Sequence, residues 1–316
     1  MNAMSRQQPK ASDFLQDALT GLAGAQKTLP AKYFYDAAGS ALFEAITALP
    51  EYYPTRTELA LLQAIGPQLR AAIGPDSLVV EFGAGSGEKA ELLLRALDRP
   101  AGYVAIEISA SALDGALLRL RAAFPGLPVC AIEGDFSVMA ELPLGLVPGP
   151  RLGFFPGSTI GNLNPIEAET FLCGRRAMLG NGGQFLIGVD LAKDPAILIP
   201  AYDDAQGVTA AFNLNMLQRL NRELGARLDV TRFRHEARWN SAESRIEMHL
   251  VAQEAQTAHI AGQAFSFRPG ESIHTENSYK YSPEAFEALA LRAGWRIKAR
   301  FSDAQNWFGL FLLGLV

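Results

Sequence analysis

Only two of the 316 residues are cysteine, Cys130 and Cys173, and each stands inside an apolar segment. So few thiols exclude a disulfide framework and a thiolate zinc cluster, and the reducing cytoplasm is the expected compartment. Histidine is nearly as scarce. His235, His249, His259 and His274 have no ligand-like spacing, and the loop acids Asp203 and Asp204 have no histidine cluster to match, so no metal is expected. Basic runs interleaved with aromatics are missing and the formal net charge is −5, so neither nucleic acid nor an anionic membrane is an expected partner. The most apolar stretch, residues 308–316, is far shorter than the roughly 20 residues a membrane helix needs. The first twelve residues are polar, without the apolar centre of a signal peptide. Internal repeats and low-complexity linkers are also missing.

What is present suits a folded chain of one large or two modest domains, with 49% apolar and 19% charged residues. Residues 1–56 are rich in aromatics and turn formers. Leu59, Leu62, Ile65 and Leu69 then predict a helix over residues 58–73. From Ser77 onward, short apolar runs alternate with helical patterns. Strands are predicted at 78–82, 103–106, 128–132, 152–155 and 184–189. A helix is predicted at 88–97, another beginning near Ser109, and a third opening at Asn164-Pro165-Ile166-Glu167, where cap, proline and capping-box acid coincide. Apolar runs separated by helices indicate parallel strands buried on both faces, a doubly wound α/β sheet.

After Lys193 the alternation stops. A helix is predicted over 209–224 and longer strands over 230–275, with a turn at Arg268-Pro269-Gly270-Glu271. A helix capped by Ser282-Pro283 and two terminal strands follow. The change of texture and the return to an α-β-β pattern predict a second, α+β domain spliced into the first. One domain is expected to comprise 57–192 plus 283–316, the other 1–56 plus 193–282.

The first predicted strand ends in Glu81-Phe82-Gly83-Ala84-Gly85-Ser86-Gly87-Glu88-Lys89. Glycines at such a turn take positive φ and let the backbone approach a ligand at the strand tips. A dinucleotide fingerprint needs its third glycine where Glu88 stands, and no Gly-Lys-Ser/Thr follows at phosphate-loop spacing. The E-x-G-x-G-x-G spacing instead resembles the adenosylmethionine turn of Rossmann-like methyltransferases. Glu107 ends the next strand, where a carboxylate can accept both hydroxyls of a ribose. Asp135-Phe136 follows the third, suited to an adenine amino group and a ring stack. A nicotinamide-dependent dehydrogenase is the rival this arrangement displaces.

Several further segments resemble the histidine-specific α-N-methyltransferases of ergothioneine biosynthesis. They are Lys32-Tyr33-Phe34-Tyr35-Asp36-Ala37-Ala38-Gly39-Ser40 with Leu42-Phe43, and Leu49-Pro50-Glu51-Tyr52-Tyr53-Pro54-Thr55-Arg56-Thr57-Glu58. Gly157-Ser158-Thr159-Ile160-Gly161-Asn162-Leu163, Ala201-Tyr202-Asp203-Asp204 and Gly207-Val208-Thr209-Ala210-Ala211-Phe212-Asn213 belong to the set. So do Arg245-Ile246-Glu247-Met248 and Thr275-Glu276 with Ser278 and Lys280. Together they run across nearly the whole chain.

The resemblance implies a Rossmann-like adenosylmethionine-dependent methyltransferase sheet with an inserted α+β substrate-binding domain. It implies that S-adenosyl-L-methionine is held at Gly83, Lys89, Glu107, Asp135 and Phe136. The carboxylate of a free amino acid is assigned to Asn162 and Tyr202, its imidazole to Tyr52, Glu276 and Ser278. Tyr35 and Phe43 are assigned to the surroundings of the amine, with the Tyr35 hydroxyl as the catalytic candidate. The implied reaction is methylation of the α-amine of histidine to the trimethylated betaine by a monomer. The alternatives are the same reaction on another aromatic amino acid such as tryptophan, or adenosylmethionine binding without turnover.

Overall fold

The computed structural model describes residues 4–6, 11–139, 141–143 and 145–316. Of the first twelve residues, read above for a leader, the rest lie outside the described residues. The chain forms two compact units, one of residues 1–8, 54–192 and 279–316 and the other of 9–53 and 193–278.

The first unit is built on an eight-stranded sheet. In spatial order its strands are Met4–Arg6, Val129–Glu133, Gly102–Glu107, Leu78–Phe82, Arg151–Phe155, Gln184–Asp190, Phe308–Leu315 and Trp295–Ser302. The first six run parallel, and Phe308–Leu315 runs antiparallel to both of its neighbours. Leu78–Phe82 comes first among the central strands in the chain yet sits mid-sheet. The chain builds outward to Val129–Glu133, then returns to the other flank with Arg151–Phe155. That reversal creates a switch point, where parallel sheets hold ligands.

Both faces are covered, as the uninterrupted apolar runs require. Val80, Phe82, Val104 and Ile106 pack with Phe171 and Leu172 of helix Pro165–Leu179 and Phe286 of helix Pro283–Arg292. Val79, Tyr103, Ala105 and Phe154 share the opposite core with Leu62, Leu69, Leu93 and Leu117 from four helices. The predicted capping box at Asn164 is present. Its Oδ1 accepts from the Ile166 and Glu167 amides, and the Glu167 carboxylate accepts from the Asn164 amide.

Three expectations need correction. The helix over 58–73 is two helices, Tyr53–Ala64 and Gly66–Ile73. Pro67 has no N–H to continue the first helix and favours the first turn of a new one. Residues 4–6 pair with Val129–Glu133 in the sheet, whereas the sequence placed the N-terminal block wholly with the inserted domain. A three-residue strand carries no periodicity to read. Residues 279–282 belong with the sheet as well, because Tyr281 bridges to Leu191 and accepts from the Ala192 amide.

The second unit has a four-stranded sheet in the order Lys27–Thr28, Ser272–Tyr279, Arg245–Ala252, Phe233–Asn240, plus the hairpin Gln256–Ile260/Gln263–Phe267. Helix Val208–Leu224 packs Phe212, Met216, Leu217 and Leu220 inward, against helix Ala37–Thr47 and the last two of those strands. Helices Ala11–Ala23, Ala37–Thr47 and Pro195–Tyr202 lie where no helix is predicted from the sequence. No helix among the described residues is long and apolar enough to cross a membrane.

Candidate active site

In the sheet unit the expected cofactor residues gather at the carboxyl ends of neighbouring strands. Gly83, Gly85 and Gly87 all have positive φ, at 80°, 50° and 74°. Gly87 also meets helix Ala110–Ala123 so closely that a Cβ would lie 3.0 Å from the Ala116 backbone. At Gly85 a Cβ would meet no atom within 4 Å, so the turn borders open space. A tight turn facing a void is what a ligand approaching the backbone requires.

Glu107 is clamped toward that turn. Its Oε2 accepts from the Gly85 amide at 3.0 Å and its Oε1 from the Ser109 amide at 2.9 Å. Burial raises its pKa, against the pull of those amides. A carboxylate has about four lone-pair directions, so each oxygen can accept again, from a ribose hydroxyl for example. Asp135 takes both the Ser137 amide and hydroxyl on Oδ1, which fixes the carboxylate in the loop. Phe136 packs against Phe155 and Phe171, its ring edge 3.6 Å from where a Gly83 Cβ would stand. These groups fit a nucleoside, with an open glycine turn, a fixed carboxylate and an aromatic wall.

Lys89 is paired with a residue that the sequence reading did not assign. Its ammonium lies 2.7 Å from Glu58 Oε2, and the same oxygen accepts from the Gly157 amide at 2.8 Å. Glu58 is fully buried, and a Cβ at Gly188 would clash with its other oxygen at 2.2 Å. Glu58 thus ties helix Tyr53–Ala64, helix Glu88–Ala96 and the loop after Arg151–Phe155 into one polar knot. The only hint in sequence was the position of Glu58 at the end of a resembling motif. Glu81, the acid opening the glycine motif, turns inward. It is 1% exposed and accepts from the Tyr103 hydroxyl. Burial pushes its pKa up to about 8, the Tyr103 bond and Lys89 opposing.

Asn162 closes the short helical turn Thr159–Asn162 in the same unit. Gly161 beside it approaches the neighbouring backbone so closely that a Cβ would stand 2.8 Å from the Tyr279 carbonyl oxygen. The Asn162 side chain is half-buried and has no protein partner among the described residues.

The inserted unit brings the other candidates together. Tyr35 meets Phe43 edge-on at 5.7 Å, Phe43 meets Tyr52 at 6.3 Å, and Tyr52 meets Tyr202 at 6.3 Å. Tyr202 then hydrogen-bonds Ser278 through their hydroxyls at 2.7 Å. Ser278 lies two residues from the half-buried Glu276 on strand Ser272–Tyr279. The local anchors are legible chemistry. Asp36 caps helix Ala37–Thr47 by accepting from the Gly39 amide, and also holds Asn215 and Arg222. Gly39 is obligatory, since a Cβ would stand 1.7 Å from the Phe34 carbonyl oxygen. Asp204, read as a loop acid, takes the Val208 and Thr209 amides at the start of the long helix, and those bonds lower its pKa against the cost of burial.

Histidines do more here than sequence spacing suggested. His235 is buried between the Tyr202 carbonyl at 2.7 Å and Asn213 at 2.8 Å, which fixes the end of helix Pro195–Tyr202. His249 and His274, whose spacing along the chain is not ligand-like, stack at 4.7 Å with Glu247 beside them.

The family model described as "Histidine-specific methyltransferase, SAM-dependent" matches residues 14–315. The histidine N-alpha-methyltransferase of Mycolicibacterium smegmatis is 44% identical over 304 residues, spanning 94% of this chain and 93% of that one. Its namesake in Mycobacterium tuberculosis is 42% identical over 303 residues with the same coverage. The ergothioneine biosynthesis protein 1 of Neurospora crassa is 31% identical across 91% of this chain, which matches 33% of that longer protein. With an adenosine-suited strand-tip site and a family match over nearly its full length, the chain belongs to the SAM-dependent, histidine-specific methyltransferase family.

Proposed function

We propose that this chain transfers methyl groups from S-adenosyl-L-methionine to the α-amine of free L-histidine, as far as the trimethylated betaine, hercynine. The observation that carries the reading is the aromatic run Tyr35–Phe43–Tyr52–Tyr202, which ends in a hydroxyl pair at Ser278 on the strand bearing Glu276. An apolar wall that finishes in a hydroxyl and a carboxylate suits a flat ring with N–H groups.

Bound adenosylmethionine supplies a methyl group on a positively charged sulfur. Glu107, fixed by two backbone amides, holds the ribose hydroxyls. Asp135 receives the adenine amino group, Phe136 packs on the ring, and Gly83 gives the backbone its close approach. Lys89, held in place by Glu58, supplies positive charge at the edge of this site. On the substrate, the Asn162 amide and the Tyr202 hydroxyl bind the carboxylate. Glu276 accepts from one imidazole N–H while Ser278 serves the other nitrogen, with Tyr52 alongside. A hydrogen bond to the charged carboxylate contributes about 1.5–3 kcal/mol, and a ring that cannot make it, as in phenylalanine, is disfavoured to that extent.

The α-amine of a free amino acid stands beside its own carboxylate and is mostly protonated at neutral pH, so its proton must leave before the amine can attack. Orientation and exclusion of water then supply most of the acceleration, up to about 7–11 kcal/mol for aligned reactants. The Tyr35 hydroxyl steers the amine and helps its proton leave. The surrounding rings tolerate the cationic product by cation–π attraction.

The test is incubation with adenosylmethionine and each free amino acid, with added methyl groups counted by mass. Histidine is expected to gain three and tryptophan none. Hydrogen bonds to charged groups contribute about 1.5–3 kcal/mol, so Glu276→Gln should lower kcat/KM for histidine about 10- to 150-fold. Unchanged kinetics in that variant would remove the imidazole assignment. Binding of adenosylmethionine without methyl transfer to any amine would overturn the enzymatic reading.

A further inference from the structure

We propose that Glu247, His249 and His274 form a site for one first-row divalent transition-metal ion, of the Zn2+ type, within the sheet of the inserted unit. Glu247 and His249 stand two apart on strand Arg245–Ala252, hence on one side of it. His274 is on the adjoining strand Ser272–Tyr279. One donor atom from each lies within 4.8 Å of the others. Glu247 Oε2 and His249 Nε2 are already 3.0 Å apart, and the two imidazoles stack with 18° between their planes.

Two imidazoles and a carboxylate are a donor set that zinc and its neighbours in the series prefer. Ligand bonds of about 2.0–2.1 Å in a tetrahedron put donors roughly 3.3 Å apart. The first pair therefore stands at ligating distance, and the third donor closes by roughly 1.5 Å at most, within reach of side-chain torsions.

The hydrogen bonds around the cluster hold each group as a ligand needs it. The His274 Nε2 faces the Glu276 carbonyl at 3.0 Å. A carbonyl only accepts, so Nε2 carries the proton and Nδ1 keeps the lone pair. His249 has Ser272 Oγ at 3.2 Å from Nδ1. On binding, its proton moves to Nδ1 and points at that hydroxyl, Nε2 becomes the ligand, and no net proton is released. An imidazole whose second nitrogen is anchored in this way is the usual arrangement at metal sites. The Glu247 Oε1 is held by Arg245 at 2.8 and 2.6 Å and by Asn240 at 2.9 Å, which leaves Oε2 directed at His249.

The Glu247 side chain keeps 13% of its surface exposed, which gives an ion a way in.

The site stands independently of the reaction assigned above. The test uses the full chain, free of affinity tag and stripped with a chelator, titrated with Zn2+ against a chromophoric competitor at pH 7.5. One Zn2+ per chain is expected. Affinity should fall by more than about tenfold in His274→Gln and in Glu247→Gln, each confirmed folded by circular dichroism, and stay unchanged in His259→Gln, a histidine exposed on the hairpin. Should either variant fail to fold, the other carries the comparison, and zinc-edge anomalous scattering from crystals of the wild type locates the ion. Stoichiometric binding that survives both substitutions, or the absence of bound Zn2+ in the wild type, would overturn the proposal and leave the cluster as a stack of neutral histidines.

Discussion

Replacing Glu81 by glutamine should abolish much of the protein's loss of stability at alkaline pH. Glu81 is 1% exposed, and burial raises its pKa from 4.5 to about 8 in the folded chain. From pH 4.5 to 8 the folded state keeps a proton that the unfolded state has released, so stability falls as pH rises through that window and levels off above it. One pKa unit corresponds to about 1.4 kcal/mol, so between pH 5.5 and 8.5 this group removes roughly 3 kcal/mol. Glutamine is neutral throughout, and its carbonyl can still accept from the Tyr103 hydroxyl. Urea unfolding followed by tryptophan fluorescence, with Trp295 buried in the same sheet unit, should show near-equal stability of the two proteins at pH 5.5. At pH 8.5 the variant should lead by roughly 3 kcal/mol, or about 6–12 °C in Tm at the usual 2–4 °C per kcal/mol. If both proteins lose stability in parallel across that range, Glu81 is not a buried, protonated acid.

Two further outcomes concern other buried charges. Lys280 and Asp190 form a fully buried ion pair at 2.7 Å, so Lys280→Met should cost about 3–5 kcal/mol in urea unfolding, while Lys280→Met with Asp190→Asn should recover a large part. Equal losses in the single and double variants would show that the pair is not what holds the site. The depressed pKa of His249, about 4 against 6.5, gives stability that is complete above pH 6.5 and lost as pH falls toward 4. In metal-free protein, His249→Gln should flatten that acid limb by up to roughly 3 kcal/mol; an unchanged limb would place the acid sensitivity elsewhere.

The strand-tip cluster proposed for the nucleoside was legible because its signals are local. A glycine turn, Glu107 and Asp135-Phe136 each follow directly on an apolar run, and parallel strands bring successive tips side by side without further information. Partnerships across sequence distance were not legible. Lys89 was assigned, but nothing near it announced Glu58, and Tyr202 meets Ser278 across 76 positions. The single helix expected over residues 58–73 failed for a different reason. Apolar spacing continued through the break, while Pro67 had already removed the N–H that continuity required.

By itself, the sequence determined the layered α/β unit, the strand tips that suit a nucleoside, and the interruption after Lys193, because periodicity and turn chemistry act between near neighbours. Tertiary structure alone decided that Glu81 faces Tyr103 rather than the strand tips, and that four aromatics from separate segments form one run. It also decided that two histidines 25 positions apart in the chain stack against each other. Those outcomes depend on sheet register and on which helix covers which face. Register is a cooperative property of many weak contacts, and no short stretch of residues carries it.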